Sequence, residues 1–162
     1  MSRPTVRLLL SHPAHFLSLG LGSGLSPVAP GTVGTLLAWA LFALIRPPFS
    51  ELGFGLFLLA AFVAGSLFVP LTGRALGVVD HGGIVWDEFV AMWLVLWLAP
   101  AGFWWQLASV VLFRIFDILK PWPIRIADTR FKNGFGVMFD DLLAAAYALL
   151  CLAIGVRIMA TV

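Results

Sequence analysis

The sequence predicts an all-α, polytopic integral membrane protein of about five spans, some of them short or broken. Two observations carry this. The 162 residues are 61% hydrophobic and only 11% charged, with a mean hydropathy of +1.02, whereas a soluble domain carries about 25% charged residues. The apolar residues also fall in runs of helix length, separated by polar or Pro/Gly-bearing breaks. The length fits a single domain over residues 1–162. A net charge of +2 without a basic run argues against nucleic acid as a partner. Cys151 is alone, so it forms no intramolecular disulfide and no cysteine metal cluster.

Residues 1–20 read as an interfacial N-terminal segment. After Arg3 and Arg7, the interruptions at His12, Pro13 and His15 leave no room for a signal-peptide core. Residues 16–35 are too rich in glycine and proline for a plain lipid-facing helix. Such backbone is tolerated near membrane depth where protein shields it or where it lines a wet cavity. Pro30-Gly31-Thr32 reads as a helix start, and 33–45 as a short first span ended by Arg46-Pro47-Pro48. Residues 53–71 are the cleanest span, and 73–83 a polar turn. The third span, 84–98, carries Asp87-Glu88 near its start. Pro100 and Gly102 turn the chain into 103–119, where Trp104 and Trp105 suit a membrane interface. A connector over 120–139 leads to the last span, 141–159.

With the N-terminus inside, the Lys/Arg bias puts eight of the ten basic residues on the cytoplasmic side, leaving Arg46 and Arg157 outside. The acidic residues sort the same way. Asp80, Asp87, Glu88, Asp117, Asp128, Asp140 and Asp141 fall inside, and only Glu51 outside. The bias rule does not require that second sorting, and it points to one site at one membrane face.

Three segments meet there. In Gly31-Thr32-Val33-Gly34-Thr35, glycines admit an anion close to backbone N–H groups, a helix start adds a favourable dipole, and Thr32 and Thr35 add hydroxyls. Close helix packing explains the glycines equally well. In the second segment, Asp87 and Glu88 open an apolar helix. One carboxylate would serve as cap and dipole partner. A second, where charge is costly, is better explained by a hard divalent cation. In the third, Arg114 and Asp117 share a helix face, and Pro121 keeps Lys120 out of helical geometry. Asp140-Asp141 reads as another helix start with one acid too many. Asp128, Arg130 and Lys132 read as a solvated connector or lipid-headgroup contact. His12, His15 and His81 lack zinc-like spacing. Clustered carboxylates with arginine, lysine and hydroxyl donors suit Mg²⁺ and a phosphate.

The blocks Gly31-Thr32-Val33-Gly34-Thr35-Leu36, Ile84-Val85-Trp86-Asp87-Glu88, Phe113-Arg114-Ile115-Phe116-Asp117-Ile118-Leu119-Lys120-Pro121-Trp122-Pro123-Ile124 and Gly136-Val137-Met138-Phe139-Asp140-Asp141 occur in that order. They resemble the phosphatidylglycerophosphatase A family over residues 22 to about 150. Ala91 and Ala144-Ala145 depart from its usual glycines, a matter of packing. The resemblance implies an Mg²⁺-dependent lipid phosphatase of the bacterial inner membrane, multi-pass, with its site on the cytoplasmic face. Its substrate would be phosphatidylglycerophosphate in the bilayer, and its products phosphatidylglycerol and inorganic phosphate. On that basis Asp87, Glu88, Asp140 and Asp141 are expected to bind Mg²⁺, with Asp80 and Asp117 as a further ligand or base. Arg114, Lys120, Thr32 and Thr35 would hold the scissile phosphate and Arg125 the diester phosphate. A metal-bound water is the expected nucleophile, with an aspartyl-phosphate as the competing route. The oligomeric state is open, and a homo-oligomer is compatible with all of this. A phosphoalcohol transferase would need a D-G-x-x-A-R string, which is absent. A cation-binding transporter or channel subunit would place charges at mid-membrane within two symmetric halves, and no repeat is visible.

Overall fold

A computed structural model describes residues 3–161. Residues 1, 2 and 162, the outermost parts of the expected N-terminal segment and single domain, lie outside the described residues. The rest is helical, with no strand among the described residues. The N-terminal segment forms two short helices, α1 (Val6–Ser11) and α2 (Pro13–Ser18), followed by a 3-10 turn at Gly20–Leu25 broken at Leu21 and Gly22. Then come α3 (Pro30–Ile45), α4 (Glu51–Leu76), α5 (Trp86–Leu98), α6 (Phe103–Leu119), α7 (Ile124–Arg130) and α8 (Gly134–Met159).

Two helices, α4 and α8 at 26 residues each, are long and apolar enough to cross a bilayer. Of the about five spans expected, some of them short or broken, only these two have full spanning length among the described residues. The 16 residues of α3, 13 of α5 and 17 of α6 reach about 20–26 Å at 1.5 Å per residue, short of a hydrocarbon core of about 30 Å. On α4, Leu52, Leu56, Leu59, Val63 and Leu67 stand 50–75% exposed at helical spacing, an apolar stripe that covers nothing within the chain.

Two boundaries move for physical reasons. The second span was expected to end at 71, but α4 runs on to Leu76, where Gly77 at φ 89 closes it with N–H bonds to the Gly73 and Arg74 carbonyls. Pro70 lies inside it and offers no N–H to the Ser66 carbonyl. Bare Gly134 packs there, where a Cβ would come within 2.1 Å of that oxygen. The last span was expected to start at Asp141. Instead α8 starts at Gly134, with the Asn133 side chain accepting from Gly136 N–H as the cap.

Helix α5 is the centre of the bundle. Ten of its thirteen residues are buried, packed by α3, α4, α6 and α8. Phe54, Phe89, Met92, Phe113 and Met138 fill the core. The buried indoles are satisfied, Trp86 donating to Ala61 O at 3.1 Å and Trp93 to Ala38 O at 2.9 Å. At one end of the bundle Arg46 pairs with Glu51, whose other oxygen accepts from Trp97 at 2.6 Å. The start of α3, end of α4, start of α5, end of α6 and first turns of α8 gather at the other end.

Candidate active site

At that second end, Asp87 and Glu88 stand in the first turn of α5, whose cap residue Val85 makes no side-chain capping bond. Asp140 and Asp141 stand two turns inside α8. They do not start that helix, so capping cannot explain them.

One ligand oxygen from each of Asp87, Glu88 and Asp141 lies within 4.8 Å of the others. All three residues are at least 92% buried. Asp87 Oδ1, Glu88 Oε2 and Asp141 Oδ2 have no hydrogen-bond partner. An orphaned buried carboxylate oxygen costs several kcal/mol if charged, a cost that protonation or a bound cation would relieve. Opposed ligands of an octahedral Mg²⁺ stand about 4 Å apart, so small side-chain shifts would close these oxygens around the ion. The donor set, oxygen only, fits it. Of the four residues expected to ligate, these three converge.

Asp140 is turned elsewhere. Its Oδ2 takes Lys120 Nζ at 2.5 Å, and the same ammonium reaches Asp128 Oδ1 at 2.7 Å. Lys120 caps α6 at φ 42, ψ 60, so the chain leaves helical geometry there as Pro121 required. Burial works against the ammonium, but the hydrogen bonds to Asp128 and Asp140 outweigh it and hold its pKa well above the ordinary lysine value. Asp128 was missed as a site residue. It is far from the other acids until the Pro-Trp-Pro corner, anchored by Tyr147 Oη donating to Trp122 O at 2.9 Å, folds α7 back over α8.

Arg114 joins the elements. Its Nη1 lies 2.7 Å from Asp117, 3.5 Å from Glu88 and 3.4 Å from the Thr35 hydroxyl, while its Nε is buried and unpartnered. Thr35 is itself buried and donates to Gly31 O at 2.9 Å, so its hydroxyl orients Arg114 from inside the fold. Thr32 is half-buried in the first turn of α3. Gly31 admits Glu88 and Arg114, since a Cβ there would stand 2.3 Å from Glu88 Oε1 and 3.1 Å from both Arg114 Nη atoms. The spacing of glycines in the sequence could have suggested that close approach, but not its partner.

Beside Asp140 lies a cleft of about 340 Å³ lined by Asp80, Asp128, Thr129, Lys132 and Val137. Asp80 is exposed at the cleft mouth, and desolvation by the surrounding protein still pushes its carboxyl up, with Lys120 pulling the other way. Arg125 is exposed on α7 and makes no ion pair with the acids.

A profile of the Phosphatidylglycerophosphatase A family matches residues 16–156. The chain is 45% identical over 150 residues to a Haemophilus influenzae protein named phosphatidylglycerophosphatase A, covering 92% of each chain. It is 43% identical over 142 residues to the Escherichia coli protein of that name, covering 85% of this chain and 80% of that one. A Bacteroides thetaiotaomicron protein named putative phosphatidylinositol-3-phosphatase is 35% identical over 145 residues, covering 86% and 91%. No solved structure matches. The chain belongs to the phosphatidylglycerophosphatase A family.

Proposed function

We propose that this protein is an Mg²⁺-dependent phosphatase that hydrolyses the terminal phosphomonoester of phosphatidylglycerophosphate, leaving phosphatidylglycerol and inorganic phosphate. The observation that carries the proposal is the set of three orphaned, buried carboxylate oxygens beside Arg114, in a member of this family. The exposed apolar stripe of α4 supports a bilayer setting. In this reading α4 and α8 span, the shorter α3, α5 and α6 complete a five-helix, multi-pass body, and the acidic end faces the cytoplasm of a bacterial inner membrane.

Asp87, Glu88 and Asp141 hold the metal. Bound there, Mg²⁺ supplies charge neutralisation for the transferring phosphoryl group and a more acidic water. Arg114 offers the phosphate oxygens the guanidinium edge that its Nη1 contacts leave free, held in place by Asp117 and Thr35. Lys120 gives a second positive charge, fixed between Asp128 and Asp140. Asp140 thus positions Lys120, and Asp80 stands at the cleft as a candidate base whose raised pKa suits proton transfer.

The test is phosphate release by detergent-solubilised protein from phosphatidylglycerophosphate, phosphatidylinositol 3-phosphate and phosphatidic acid, each with Mg²⁺ and with a chelator. Fast, chelator-sensitive release from the first is expected. Absence of release from it by folded protein overturns the proposal.

A further inference from the structure

Three depressions follow one another along the side of the bundle. The first, about 380 Å³, is a groove between α4, α5 and α8 walled by Leu58, Phe62, Leu94, Trp97, Phe135 and Phe139, with no charged side chain. The second, about 470 Å³, shares Phe135 with the first and holds Pro70, Arg74 and Lys132. The third is the polar cleft at Asp80 and Asp140, which shares Val79 and Lys132 with the second. Along α4 alone the track from Gly55 to Arg74 covers about 28 Å.

Arg74 and Lys132 are exposed and make no ion pair in the described structure. Arg74 stands in the last turn of α4, where a cation complements the helix dipole. Lys132 stands between α7 and α8, directly after Phe131, the C-cap of α7. Two unpaired cations thus sit where an apolar groove ends and the polar cleft begins.

We infer that this track seats the phosphatidyl part of the substrate: acyl chain in the apolar groove, bridging phosphodiester against Arg74 and Lys132, headgroup in the cleft. The inference rests on the lipid-phosphatase reading above and deepens it. It gives the diester to Arg74 and Lys132 in place of Arg125, which lines none of the three depressions. The order of apolar groove and then two cations matches the acyl chain and bridging diester of such a lipid, and an anionic diester complements the two cations.

Binding is read separately from hydrolysis. Phosphatidylglycerol, which keeps the acyl chains and diester but lacks the monoester, is titrated into the protein in neutral detergent micelles. The double variant Arg74→Gln/Lys132→Gln is expected to bind it at least tenfold more weakly, and each single variant about threefold. Arg7→Gln/Arg157→Gln, which removes equal charge from α1 and from the C-terminal end of α8, is expected to bind as wild type, excluding a general surface-charge effect. Diacylglycerol, with no phosphate, should bind wild type and double variant alike. Equal phosphatidylglycerol affinity in wild type and Arg74/Lys132 variants, or equal weakening in both double variants, overturns the inference. Should the double variant fail to fold, the single variants decide by the same readout. Turnover of phosphatidylglycerophosphate is measured on the same preparations, with KM expected to rise about tenfold in Arg74→Gln/Lys132→Gln and kcat to stay within twofold. Wild type that binds phosphatidylglycerol without this turnover would sink the proposed reaction and leave the lipid track standing.

Discussion

Gly31→Ala puts a single methyl group into the tightest point of the site. Gly31 lies in the first turn of α3 with ordinary helical backbone, so alanine meets no backbone penalty and has the better helix propensity. The new Cβ would stand 2.3 Å from Glu88 Oε1, about 1 Å inside ordinary contact, and 3.1 Å from both Arg114 Nη atoms. Overpacking typically costs about 1–3 kcal/mol. Here the atom in the way ends a flexible side chain, so the carboxylate swings aside and the loss should fall at the low end, about 1 kcal/mol. The same swing takes Glu88 away from Asp87 and Asp141. Displacing a reacting group by about 1 Å can lower rate about 100-fold. Phosphate release should therefore fall about 100-fold, with Mg²⁺ half-saturation shifted upward, while the melting temperature falls by only about 2–4 °C. Gly155→Ala, whose Cβ would rest at 3.6 Å on Trp105, is the neutral comparison. Activity of Gly31→Ala within about threefold of wild type, at unchanged Mg²⁺ dependence, would refute the reasoning.

The other predictions rest on separate parts of the site. Asp87→Asn, Glu88→Gln and Asp141→Asn should each lose at least about 100-fold in phosphate release, and Mg²⁺ should raise the melting temperature of wild type but not of these variants. Without metal they should be at least as stable as wild type, because each removes a crowded buried charge. Lys120→Met leaves Asp140 buried without its cation and should destabilise by about 1–3 kcal/mol. Adding Asp140→Asn should restore part of that in denaturant unfolding, with a coupling of about 1 kcal/mol. Asp80 has a raised pKa in the fold, so the folded state holds its proton more tightly than the unfolded one. That contribution is fully present below the ordinary value of 3.8 and is lost as pH rises through the higher folded value. Because solvent screens the exposed Asp80, the effect is small: Asp80→Asn should melt slightly above wild type at pH 7, with the gap closing below about pH 4.

Much of the site was legible in the sequence because charge is rare here and costly to bury. With eight acidic residues in a greasy chain, Asp87-Glu88 and Asp140-Asp141 stand out without any fold. What the spacing could not tell is which way each carboxylate points. Asp140 and Asp141 are neighbours, yet a helix turns successive residues about 100° apart. One therefore faces Asp87 and Glu88 and the other faces Lys120. Thr35 looked like a phosphate donor, and the structure shows it buried, donating to Gly31 O and 3.4 Å from Arg114 Nη1. Asp128 looked like solvated connector until the corner at Trp122 returned it to Lys120.

By itself the sequence determined that the chain is helical and strongly apolar, that its charges gather at one end of those helices, and which family it belongs to. Composition, periodicity and motif identity are local properties, readable without contacts. Only the tertiary structure decided how many helices have spanning length, which three acids converge, and that Gly31 leaves room for Glu88. Those depend on distances between α3, α5, α6 and α8, segments far apart in the chain that meet only when the buried face of α5 is covered on every side.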